Sequence, residues 1–255
     1  MSAFRAGVHY QWMLFRARPS EFVGMLVATP FITAVLLSVV HFAQRADLAG
    51  AALLAPALAS LWSVILFVGG QCIVEDRGQG RLELILTSPT SLLGYLWGRV
   101  SASVVIGLAA FGEAWLVGVG VFGARPVVLH PWWFAACLLV TAAATVPMTA
   151  LLAGVFALGR GGGAAANFLS YPLYVLAGIF TPAALLPDWL HPVSRAFYLS
   201  WGADLARSCL NDPTLHQPGL RLAVIAGLGL ATAVLGVFLL RRIIDNLRTT
   251  GMVSL

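Results

Sequence analysis

Chemistry in this chain would have to come from ten carboxylates, five histidines and fifteen arginines, because its 255 residues include no lysine. A Walker A loop needs a lysine to reach the phosphates, so this sequence does not carry that ATPase motif. The glycine cluster Gly159-Arg160-Gly161-Gly162-Gly163 lacks both that lysine and the Ser/Thr that would follow, and reads as a link between apolar runs. Zinc proteolysis would need an HExxH pair, and none occurs. No Gly-x-Ser is present, His130 and His191 each precede a proline, and paired aspartates for magnesium-dependent transfer are missing. With no catalytic set and no metal site in view, two placements of polar residues remain. One is the charged stretch Glu75, Asp76, Arg77, Arg81 and Glu83 around Gly78 and Gly80; the other is Glu113, alone in a long apolar run.

The charged stretch lies within Gln71 to Arg99, QCIVEDRGQGRLELILTSPTSLLGYLWGR. After the glycine break, Leu82, Ile85 and Leu86 share one face by i, i+3, i+4 spacing. Ser88-Pro89 then ends the turn, since proline disfavours helix in the residue before it. A short helix that is polar on one side and apolar on the other lies flat on a membrane surface and can dock a partner. The competing assignment is an ordinary polar loop between membrane spans.

Composition supplies the setting. At 60% hydrophobic and 10% charged residues, with mean hydropathy +0.90, so much apolar surface needs a bilayer to cover it. Cys72, Cys137 and Cys209 are odd in number and imply no disulfide framework. The net charge of +5 comes from arginines spread between hydrophobic runs, a pattern that orients a membrane protein and does not suit nucleic acid.

The elements that must hold these residues follow from the apolar runs. The fold class expected is an all-α membrane protein, a single transmembrane domain over 1–255 with six transmembrane helices at 22–40, 50–74, 92–122, 132–158, 164–181 and 219–240. Residues 4–18 place Phe4, Val8, Trp12 and Phe15 on one stripe and Arg5, His9 and Arg16 on a neighbouring one, which predicts an interfacial helix before the first crossing. A cleaved signal peptide would have a shorter apolar core than 22–40. Residues 182–207, broken by Pro182, Pro187 and Pro192 yet apolar and aromatic, predict short helices that dip into the outer leaflet and return. With both termini cytoplasmic, ten arginines (5, 16, 18, 77, 81, 99, 160, 241, 242 and 248) fall inside and five (45, 125, 195, 207 and 221) outside. That assignment obeys the positive-inside tendency.

The run EDRGQGRLELILTSP resembles the loop between the second and third spans of ABC type 2 transporter permeases. Arg77, Gly78, Gly80, Leu82, Glu83, Leu86, Ser88 and Pro89 match the family pattern, Asp76 replaces a glutamate, and Glu75 stands where a base is common. GIFTPAALLPDW, from Gly178 to Trp189, is similar to the family's re-entrant element after the fifth span. The resemblance implies that residues 75–90 form a coupling helix seated on a separate cytoplasmic ATPase. That subunit would hold ATP and magnesium, so this chain would need no cofactor of its own. It also implies a second permease copy, as a homodimer or with a related partner, in the plasma membrane. The ATPase contact would fall to Glu75, Asp76, Arg77, Gly78, Gly80, Arg81, Glu83, Leu86 and Pro89. The substrate class implied is hydrophobic or amphiphilic (a drug, antibiotic or lipid-like molecule), with a polysaccharide precursor as the alternative.

A charge near the bilayer centre costs about 2.5–3.5 kcal/mol on insertion scales, so Glu113 is expected to face the bundle interior or a wet cavity. It then either lines a route for a polar or cationic substrate or is a structural acid satisfied by neighbouring donors. Asn167, Tyr171, Tyr174 and Phe180 are the aromatic and polar candidates for that route; packing and interface anchoring is their competing role. Asp204 and Arg207, three apart, are expected to pair on an outer helix. Gly118 and Gly120, or Gly227 and Gly229, do not reproduce GxxxG spacing. An ion-driven secondary transporter would want midplane ionisable residues in several spans, and Glu113 stands alone.

Overall fold

A computed structural model describes residues 2–17, 19–64, 66, 91–124, 128–158, 171–180 and 186–250. Among the described residues the regular elements are helices and no strand occurs. They are α1 (Ala3–Ala17), α2 (Pro19–Phe42), α3 (Ala49–Val64), α4 (Leu92–Phe122), α5 (Pro131–Leu158), α6 (His191–Arg195), α7 (Tyr198–Asn211) and α8 (Pro218–Thr250), with 3-10 turns at Ala46–Leu48 and Asp188–Leu190. Residues 171–176 add a further helical segment.

Among the described residues, three helices are long and apolar enough to cross a bilayer: Leu92–Phe122, Pro131–Thr149 and Pro218–Leu239. Leu26–Phe42 and Ala49–Val64 are shorter apolar helices. Much of the apolar surface faces outwards. On α8, Leu230, Val234 and Phe238 are each more than 60% exposed and lie four residues apart, a stripe that water would not tolerate but lipid would.

The core is organised around α3, whose Ala52 through Ala59, Leu61, Trp62 and Val64 are all buried. A helix apolar on all sides belongs at the centre of a bundle, and α3 packs against α2, α4 and α7. Among the described residues the α5–α8 interface is the most extensive, and there Gly229 lies against Ala144. Thr145 and Thr149 of α5 donate to the carbonyls of Thr141 and Thr145, each at 2.8 Å, so their hydroxyls are satisfied inside the bundle.

One element differs from the sequence expectation. Within 164–181, the described part is helical only to residue 176 and turns at Gly178, whose φ of +68° suits glycine. The last helix continues to Thr250, beyond its apolar span of Pro218–Leu239. Within 182–207, short helices do occur, and α7 is tucked into the bundle against α5, α8 and α3. Its Tyr198, Leu199, Ala203, Leu205, Ala206 and Cys209 are buried, and the Tyr198 hydroxyl shares a 3.0 Å hydrogen bond with Thr145.

Candidate functional site

Glu75, Asp76, Arg77, Gly78, Gly80, Arg81, Glu83, Leu86 and Pro89 lie outside the described residues, as does Asn167. The helix that leaves the charged stretch is described from its first turn. Ser91 caps α4, its Oγ accepting from the Gly94 amide at 3.3 Å, which meets one of the unsatisfied donors of a helix start.

That end of α4 is gripped by α1. The face of α1 that docks is not the stripe of Phe4, Val8, Trp12 and Phe15: Gly7 and Gln11 are the buried residues, while Phe4 and Trp12 are about half exposed. A Cβ on Gly7 would run into the Tyr95 carbonyl, and one on Gly98 into the Phe4 carbonyl. Gly94 and Gly98 do have GxxxG spacing, with Gly94 facing Ala3, and the backbones cross in contact as that motif allows. Beside the crossing, the Nε of Arg99 donates to Oε1 of Gln11 at 3.0 Å. The guanidinium lies 5.0 Å from the Tyr10 ring centroid and 5.7 Å from that of Tyr95, within range of cation–π attraction. Arg99 and Gln11 are only 2% and 3% exposed. Sequence reading took Arg99 merely as an inside marker and missed Gln11; the signal available was the pairing of Ala3-x-x-x-Gly7 with Gly94-x-x-x-Gly98.

Glu113 is placed on α4 at the border of its outward face, flanked by exposed Ala109, Gly112 and Leu116. One carboxylate oxygen is enclosed, with no hydrogen-bond partner among the described residues. Glu113 is thus partly enclosed, at the boundary between the packed and the outward face of α4. Tyr171, Tyr174 and Phe180 are brought together instead. Tyr174 meets Tyr171 and Phe180 edge to face at 6.4 and 5.7 Å, and its hydroxyl shares a 3.1 Å hydrogen bond with Ser63 of α3. Tyr171 is 76% and Phe180 43% exposed. Among the described residues no hydrogen bond, ion pair or ring contact joins Glu113 to this trio.

At the other end, Arg207 donates to the carbonyls of Gly178 and of Ile179, the latter at 2.7 Å, and so closes the turn after 171–176. Asp204 lies 3.7 Å from Arg207 and 3.4 Å from Arg195. Burial pushes the Asp204 carboxyl up, against the pull of Arg195, Arg207 and Arg221. Burial likewise pushes Arg207 down, against Asp204. Arg195 stacks on Trp201 at 4.7 Å, and the indole donates back to the Arg195 carbonyl at 2.9 Å. The Asp204–Arg207 pair was legible by spacing; Arg195 was not.

None of these arrangements supplies a nucleophile beside a base, and no group of three or more potential metal ligands occurs among the described residues. Residues 2–211 match the family described as ABC-2 type transporter, and no curated protein matches the chain. With most of its length inside that match, the chain belongs to the ABC-2 type transporter family. It is accordingly a membrane permease component of an ABC transporter, without an ATPase cassette in the matched region.

Proposed function

We propose that this family member is the membrane-spanning subunit of an ATP-driven exporter, moving a hydrophobic or amphiphilic substrate out of the cell. ATP and magnesium are handled by a separate cytoplasmic ATPase. The three long apolar helices are joined by α2, the run containing α3 and the 164–181 run to make six crossings, with both termini cytoplasmic by the arginine asymmetry. Residues 75–90 are the coupling helix. Glu75, Asp76, Arg77, Arg81, Glu83, Leu86 and Pro89 make the ATPase contact, with Gly78 and Gly80 shaping the turn. Closure of the ATPases pushes this segment, and the push enters α4 at Ser91, shifting the population of pathway conformations.

The observation that carries this reading is the family match over residues 2–211, which includes the charged stretch and the helices on either side of it. A second copy is part of the proposal. Glu113 borders an outward face on which Gly112 and Gly120 have open space, and an acid at that depth is costly against lipid. A second copy would cover this face and line a route with Glu113, while Tyr171, Tyr174 and Phe180 meet an amphiphilic substrate near its exit.

Co-expression with candidate ATPase subunits tests the proposal. Stable assembly with hydrolysis stimulated at least severalfold is expected, and is lost when Asp76, Arg77 and Glu83 are changed together to Ala. Proton-coupled uptake by the purified chain alone, with no ATPase retained, would overturn it.

A further inference from the structure

We propose that α1 is a rigid extension of α4, locked by Arg99, which makes Arg99 a positioning residue that passes motion of the coupling segment to the helix at the membrane surface. α1 is contiguous in sequence with α2, yet its contact with α4 is far more extensive than its contact with α2. The grip has two parts. Ala3 and Gly7 face Gly94 and Gly98 so closely that a side chain on either Gly7 or Gly98 would collide with backbone carbonyl oxygen. Backbone cannot rotate aside as a side chain can, so the helices cannot roll over one another at this point.

Arg99 supplies the second part, against sliding. Its Nε reaches Gln11 at 3.0 Å and its guanidinium faces Tyr10 and Tyr95, while the two tyrosine rings lie 6.0 Å apart. A slip of one helical turn, about 5.4 Å, would strip the buried guanidinium of Gln11 and of the Tyr10 face together. Taking partners on α1 away from a buried charge is unfavourable. Two surfaces of α1 are thereby held in a fixed relation to α4: the apolar Phe4, Trp12 and Met13 and the charged Arg5, His9 and Arg16, all exposed. The lock stands on this geometry alone; its service in coupling rests on the exporter reading above.

The test places paired spin labels at two exposed positions, Met13 on α1 and Val105 on α4, in the full chain in lipid nanodiscs. The unsubstituted lock gives a narrow distance distribution, Arg99→Met and Gln11→Leu broaden it at least twofold, and Gln11→Glu, which keeps an acceptor for Arg99, restores the narrow form. An Arg99→Met distribution as narrow as that of the parent overturns the lock. With the ATPase bound, the Met13–Val105 distance stays constant between nucleotide-free and ATP-bound states. A change of about 5 Å, one helical turn or more, overturns the shared motion. Failure to assemble with any ATPase overturns the coupling role and the exporter reading, while the label measurement on the chain alone still decides the lock.

Discussion

The two ends of α4 are built on opposite principles. Near its start, Gly98 lies against the backbone of α1, so that an added methyl would strike a carbonyl oxygen. Near its end, Gly118 lies against Leu53 of α3, and an added methyl would come 2.7 Å from the Cδ2 atom of that leucine. The first neighbour is fixed by helical hydrogen bonds; the second is the far tip of a side chain with rotamers to spare. One helix therefore has an end that can only move together with its neighbour and an end where small adjustments are absorbed by repacking. Under the exporter reading this asymmetry would let displacement applied at Ser91 move α1 and α4 together, while the Leu53 side chain absorbs adjustment near Phe122.

This contrast can be broken by substitution. The largest effect is expected from Gly98→Ala, which must force α1 and α4 apart and expose the Arg99–Gln11 contact. A loss above about 3 kcal/mol, beyond the usual range for overpacking, should appear as a fall in the thermal unfolding midpoint in detergent and as proteolytic release of the N-terminal segment. Gly202→Ala is expected to be intermediate. Its Cβ would come 2.7 Å from Thr141 Oγ1, and Thr141 is β-branched and stiff, so about 1–3 kcal/mol should be lost. Gly118→Ala should cost under about 1 kcal/mol, offset by the gain in helix propensity over glycine, because Leu53 can turn away. A Gly118→Ala loss equal to that of Gly98→Ala would erase the distinction between the two ends.

The smallest effect is expected away from any crossing. Arg45 makes two hydrogen bonds to Asp47, at 2.9 and 2.8 Å, on an exposed turn, and these hold the Asp47 carboxyl below its usual range. The sign follows: the contribution is present above the ordinary carboxylate range and fades as pH falls through the lowered value. Both side chains are more than half exposed, so Asp47→Asn should leave the unfolding midpoint unchanged within error at neutral pH.

Much of the helical framework was readable because long apolar runs have abrupt ends. α4 spans Leu92–Phe122, with Ser91 before it and Gly123 after it as caps, and both signals are local. α1 was legible as amphipathic, but its docking side was not. Apolar stripes predict burial in water; beside a membrane, Phe4 and Trp12 can stay outward while Gly7 and Gln11 face protein. The Arg99–Gln11 bond joins residues 88 apart in sequence, and only the matched small-residue spacings at 3/7 and 94/98 hint that the two segments meet. Glu113 was readable as an anomaly, although its place at the edge of an outward face depends on the rotation of α4, which period alone does not set. The turn at Gly178 was hidden for the same reason: its carbonyl is met by Arg207, 29 residues away.

The length of α4 carries a mechanical consequence. At 31 residues it measures about 46 Å at 1.5 Å per residue, so with its base clamped, each degree of swing carries the Phe122 tip roughly 0.8 Å by the same helical geometry. A tilt of about 5° about that clamped base would therefore carry the far tip roughly 4 Å, about the width of a side chain, by the same helical geometry.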